Sequence, residues 1–286
     1  MIREKTPPYA VFQAQCADSI ITLYQSGKAV FQGQSADVNA ELWQQRNKKL
    51  YPNIIQEEKK KEKVDDKKRY DANIIGSDEV GTGDFFGPIV VTGAFVAKEN
   101  ISYLKEIGVL DSKKLTDEII LQIAPKLIKK IPFETVVLSN EEYNNTHNKD
   151  FNMNKIKAVL HNKILILLTK KITTYEQIVV DQFTTPKSYF FYLKNAKNVI
   201  RKITFIEKAE SKSLAVAAAS IISRYFFIKK MTELSKQYKM IVPYGANDYV
   251  DEFGVKFVEK YGFDELKNVA KLNFKNLEKI KQKIKE

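Results

Sequence analysis

The feature that most limits how this chain can fold is the run from Glu57 to Asp71, in which only Val64 and Tyr70 are uncharged. Such a run has no apolar face to bury, so no single core can pass through it and the chain must fold as separate parts on either side. The expected organisation is a small domain over 1–56, a charged linker over 57–71 and a larger domain over 72–286. The linker's seven basic and six acidic residues nearly cancel, so it does not read as a nucleic-acid-binding tail. Of the net charge of +12, residues 1–56 carry +2 and the linker +1, which leaves +9 on the larger part. Polyanions are therefore the first partners to consider, and chiefly for the larger part.

Other classes are excluded quickly. One cysteine, Cys16, allows no intrachain disulfide and suits a reducing compartment. With only His147 and His161 beside it, a zinc site of His and Cys ligands is not expected, and any catalytic metal must be held by oxygen. No apolar stretch approaches the roughly 18 residues of a membrane span, and the N-terminus lacks a signal-peptide hydrophobic region. A soluble, cytoplasmic protein without membrane partners is expected.

Before the linker, Ile20–Tyr24 and Lys28–Gln32 flank Gln25-Ser26-Gly27 and predict two strands joined by a hairpin. Asp37 to Leu50 then predicts a helix with Val38, Leu42 and Trp43 as its apolar stripe. After the linker, strands are expected at 73–77, 88–97, 133–138, 177–180 and 203–206. Thr116 is placed to cap a helix, with Asp117 and Glu118 set against its dipole. Ile156, Val159, Leu160, Ile164, Leu167 and Leu168 recur at helical spacing. So do Leu214, Ala217, Ala218, Ile221, Ile222 and Tyr225, in a helix whose alanines allow close approach to a sheet. The pattern is α/β, a mixed sheet flanked by helices.

The densest chemical signal is Gly76-Ser77-Asp78-Glu79-Val80-Gly81-Thr82-Gly83-Asp84-Phe85-Phe86-Gly87-Pro88, where an apolar strand delivers two carboxylates into a glycine loop. It lacks the Gly-Lys-Ser/Thr of a phosphate-binding P-loop, and its glycines are spaced wrongly for a dinucleotide fingerprint. Alone, it reads equally as an exposed acidic pair before a turn. Asp181 ends a second apolar strand, where turn chemistry before Pro186 is the plain alternative. Glu210 opens the alanine-rich helix, and by itself it reads as an acid favoured at a helix N-terminus. Four carboxylates at element ends in one basic domain point together to hard divalent ions such as Mg²⁺.

The segment 76–88 resembles the signature of bacterial ribonuclease HIII. The likeness continues through Asp111-Ser112-Lys113-Lys114-Leu115-Thr116, Asn152–Lys157, Leu160-His161-Asn162, Val180-Asp181 and Lys208–Ala217. In the small domain it covers Pro7–Gln13 and Thr22–Lys28. The resemblance implies a ribonuclease H-like mixed sheet with flanking helices, preceded by a small α+β domain similar to the TATA-binding protein. Family members carry a further strand and helix ahead of the Thr6–Tyr9 segment, which this small domain would lack.

The implied activity is endonucleolytic cleavage of the RNA strand of RNA–DNA hybrids by two ions, Mg²⁺ or Mn²⁺, leaving 5′-phosphate and 3′-hydroxyl ends. The family's catalytic, metal-holding acids fall on Asp78, Glu79, Asp181 and Glu210, and its substrate-approaching loop on Gly81, Thr82 and Gly83. The sister family, ribonuclease HII, usually has arginine at the position of Thr82 and aspartate at that of Glu210, so both residues favour HIII. Lys113 and Lys114 read equally as phosphate contacts or as a solvated basic turn. Tyr244 stands where the family often carries lysine. A monomer is expected. The rivals are another ribonuclease-H-like enzyme, such as an integrase or junction resolvase, and a non-catalytic nucleic-acid-binding module. The module gives no reason for carboxylates beside phosphates, which repel unless a cation intervenes.

Overall fold

A computed structural model describes residues 6–16, 19–26, 28–33, 35–50, 73–109 and 115–285. The chain divides into two compact units, Met1–Asp65 and Asp66–Glu286. The charged run 57–71, Gly27 of the hairpin, and Lys113 and Lys114 lie outside the described residues.

The smaller unit is an antiparallel meander of β1 (Ala10–Cys16), β2 (Ser19–Tyr24) and β3 (Ala29–Gly33), followed by α1 (Ala36–Leu50). The strand β1 was not legible as one in the sequence, because its apolar residues are diluted by Gln13 and Gln15. Of the apolar stripe expected on this helix, only Trp43 meets the sheet. Val38 and Leu42 are 60% and 56% exposed, whereas Trp43 meets Phe31 edge-on at 6.0 Å. The reason is polar anchoring: Asn39 Nδ2 donates to Ser19 Oγ at 2.7 Å, which sets the helix rotation. Gln13 Nε2 similarly donates to the buried Thr22 Oγ1 at 2.9 Å.

The larger unit holds a five-stranded sheet built from β4 (Ile74–Val80), β5 (Ile89–Val96), β6 (Phe133–Leu138), β7 (Gln177–Asp181) and β8 (Thr204–Ile206). The order is β6-β5-β4-β7-β8, with β4 antiparallel to β5 and parallel to β7. Its helices are α2 (Ile101–Glu106), α3 (Asp117–Lys130), α4 (Asn140–Thr146), α5 (Met153–Lys171), α6 (Pro186–Tyr192), α7 (Leu214–Gln237), α8 (Asp248–Tyr261), α9 (Phe263–Val269) and α10 (Lys275–Lys285).

Strand side chains alternate between faces, and β4 shows what each face meets. Ile74 joins the core under α3 and α7, while Ile75 joins the core under α5. At Gly76 a Cβ would stand 2.3 Å from the backbone of Ala215, so β4 and the alanine-rich start of α7 approach as closely as backbones can. Thr116 occupies the N-cap position of α3 in extended backbone, but its side chain makes no bond to the helix amides. Its hydroxyl bonds the Glu118 carboxylate instead and helps hold that group below the usual range.

Candidate active site

The parallel pairing of β4 with β7 runs in register up to Ser77 opposite Val180. The next residue on each strand is therefore an aspartate, Asp78 or Asp181, and both line one cleft of about 460 Å³. Glu210 also lines it, though not from the helix start that the sequence suggests. It lies in a 3-10 turn, Ala209–Ser211, ahead of α7, and Lys208 before it adopts a left-handed backbone. Asp181 Oδ1 accepts from the Ala209 amide at 2.7 Å, which ties the end of β7 to the turn that presents Glu210.

Glu79 faces the other way. One position after Asp78, it points to α5, where Lys157 pairs with Oε1 and His161 Nε2 donates to Oε2 at 2.8 Å. The imidazole Nδ1 meets Ser77 Oγ at 2.6 Å. Burial raises the Glu79 carboxyl, but the bonds and charges of His161 and Lys157 outweigh it and hold the group below its usual range. Asp78 is pushed up to about 8, first by burial and then by the charges of Glu79 and Asp181, against a bond from Ser220.

The glycine loop is held from several sides. Gly81 adopts φ +93, a conformation natural to glycine, and a Cβ there would strike the Pro88 carbonyl. Gly245 N donates to Asp84 Oδ1 at 2.6 Å, and the buried Lys271 ammonium donates to the carbonyls of Asp84 and Gly87 at 2.8 and 2.5 Å. Thr82 is half-buried and Gly83 is exposed.

Asp84, Ser220, Arg224 and Phe227, which the sequence did not single out as site residues, line the cleft. So do Asp117, expected only at a helix start, and Tyr244, whose ring lies 5.8 Å from that of Phe227. Arg224 clasps Asp117 through Nε at 2.9 Å and Nη2 at 2.7 Å. Asp84 stood inside the glycine segment, and that signal was available. Ser220 and Arg224 sit among ordinary helical residues and carried none.

Among the described residues, no three His, Cys, Asp or Glu side chains stand close enough, as placed, to enclose an ion. The donor chemistry nevertheless fits a hard cation. Three carboxylates from separate segments line one cleft, and Asp78 is unfavourable as an anion there until a positive charge arrives.

A mixed sheet whose neighbouring parallel strands each place an aspartate just after their last mutually paired residue, over one cleft and with helices on both faces, defines a ribonuclease H-like nuclease domain. The family profile described as Ribonuclease HII matches residues 75–277, and a profile described as a domain of unknown function matches residues 1–53. Ribonuclease HIII of Bacillus cereus is 42% identical over 285 residues, which cover 96% of this chain and 89% of the relative. Ribonuclease HIII of Bacillus anthracis is 44% identical with the same coverage. Among solved structures, Bst-RNase HIII in complex with Mn²⁺ superposes with a TM-score of 0.75 at 36% identity, covering 99% of this chain and 92% of the other. The chain belongs to the ribonuclease HIII family, within the wider ribonuclease HII group. It is a metal-dependent endoribonuclease of the class that acts on RNA–DNA hybrids. No described helix is long and apolar enough to cross a membrane.

Proposed function

We propose that this chain hydrolyses the RNA strand of RNA–DNA hybrids with two divalent ions, Mg²⁺ or Mn²⁺, held by Asp78, Glu79, Asp181 and Glu210. The observation that carries the reading is the shared cleft of Asp78, Asp181 and Glu210, in which burial and the neighbouring carboxylates disfavour the charged form of Asp78. The Mn²⁺ complex of Bst-RNase HIII supports the choice of ion. When bound, such ions stabilise the attacking and leaving oxygens of an in-line displacement, which leaves a 5′-phosphate and a 3′-hydroxyl.

The chain's own residues supply placement. Gly81, Thr82 and Gly83 bring backbone close to the substrate, where amides can read the 2′-hydroxyl that separates RNA from DNA. Asp84 and Lys271 keep that loop in place. Lys113 and Lys114 are the basic residues the family resemblance offers to the substrate's phosphates, with a solvated basic turn as the alternative. Residues 1–56 form a substrate-binding domain, residues 72–286 carry the chemistry, and the protein acts as a monomer in the cytoplasm.

The test is cleavage of end-labelled hybrid by wild type and Asp78→Asn, with and without Mg²⁺ or Mn²⁺. The substitution removes a charged ligand at nearly constant volume. A rate loss of at least ~10³-fold is expected, the order seen when major electrostatic stabilisation is removed. Normal turnover in the folded variant overturns the metal-site reading.

A further inference from the structure

Three of the four assigned acids line the cleft, whereas the fourth, Glu79, is gripped on the α5 side of β4. Lys157 and His161 lie one helical turn apart on α5, and both are buried, an unusual setting for a lysine. Each takes one oxygen of Glu79. Ser77 Oγ, two residues earlier on the same face of β4, meets the far side of the imidazole. Phe183, two residues beyond Asp181, closes the assembly. The His161 ring stacks on it with centroids 5.3 Å apart, and the Lys157 ammonium lies 4.1 Å from its centre. The network thus joins β4, α5 and the segment after β7, two of which also carry the cleft aspartates. Lys157, His161 and Glu79 itself lie outside the cleft lining, so neither donor is placed to touch substrate there, while the Glu79 carboxylate stays near enough for its charge to act on Asp78.

We infer that His161 and Lys157 are positioning residues that aim the Glu79 carboxylate for metal binding. The inference rests on the metal-site reading above, in which Glu79 is a ligand. A ligating carboxylate with long side-chain freedom gains affinity when donors behind it fix its orientation, and loss of such a donor typically costs about 10–100-fold in metal affinity or activity. The donors here are buried and paired on both oxygens, and Ser77 fixes the imidazole in turn.

The experiment uses the full chain, with Mn²⁺ alone as the probe in calorimetric titration, alongside hybrid kinetics and thermal unfolding. His161→Leu and Lys157→Met should each weaken Mn²⁺ binding by about 10-fold or more. At saturating Mn²⁺ the KM for hybrid should stay within about twofold, because the donors act on the metal ligand and not on substrate. His161→Gln, which keeps a donor, should recover most of the affinity. Should His161→Leu fail to fold, Lys157→Met and Ser77→Ala give the same readout, the latter at about threefold. Folded donor-less variants that bind Mn²⁺ within twofold of wild type while losing only thermal stability would overturn the inference and leave a packing role. Asp78→Asn is the control: Mn²⁺ binding unchanged in that variant would instead sink the metal-site reading itself.

Discussion

Burial and the charges of Glu79 and Asp181 push the Asp78 carboxyl up from an ordinary value of 3.8 to about 8 in the folded chain. The folded form binds the proton more tightly, so this residue's contribution is fully present below pH 3.8 and is lost as the pH rises through about 8. In metal-free protein, stability should therefore decline between about pH 4 and pH 8. Urea unfolding in chelator at pH 5 and pH 8 measures it. Asp78→Asn should flatten this slope and raise metal-free stability at pH 8 by about 1–2 kcal/mol, an instance of a functional site kept at the expense of stability. A variant with the wild-type slope would show that the aspartate is not the group responsible. Added Mn²⁺ should raise the melting temperature more at pH 8 than at pH 6, because the ion must displace the Asp78 proton.

At the scale of elements, β4 decides most of the site. Its alternation sends Gly76 and Asp78 toward α7 and Ser77 and Glu79 toward α5, so two adjacent acids take up different surroundings. The contact at Gly76 sets how deep α7 sits, and with it Ser220 and Ser223, which bond Asp78's side chain and carbonyl. Gly76→Ala should force the helix outward, cost about 1–3 kcal/mol as overpacking does, and lower cleavage. Wild-type unfolding midpoints in that variant would mean the helix yields without cost. The glycine loop carries its own expectation, because Thr82 replaces the arginine usual in the sister family. Hybrids with several consecutive ribonucleotides should be cut efficiently, and a DNA duplex containing a single ribonucleotide poorly. Equal rates on the two substrates at matched salt would contradict the role given to this loop.

For the whole molecule, every acid assigned to the site lies after the charged run, and so does most of the positive charge. A chain beginning near Asp71 should keep metal-dependent cleavage but need more hybrid to saturate. Its KM should rise more than its kcat falls, the kinetic form of lost uniform binding. Residues 1–56 carry only +2, so the truncated chain should also keep most of the slope of log affinity against log salt. Steady-state kinetics and salt-dependent binding provide the check. An inactive but folded fragment would show that the smaller unit helps to organise the site.

Strand patterning and the apolar periods of α5 and α7 are local properties, so the five strands of the larger unit's sheet and those two helices were legible from the residues alone. The sequence also marked Asp78, Asp181 and Glu210 as carboxylates at element ends, and the family resemblance joined them into one set. Tertiary structure decided the rest. The rotation of α1 follows one hydrogen bond from Asn39 to Ser19 across the unit, which no apolar count along the helix can reveal. Glu210 belongs to a turn ahead of α7, because the Ala209 amide is claimed by Asp181, a partner 28 residues earlier in the chain. The grip of Lys157 and His161 on Glu79 was illegible for the same reason. In sequence they read as a lysine and a histidine on an apolar helix, and only the packing of α5 over β4 turns that helical face toward a buried carboxylate.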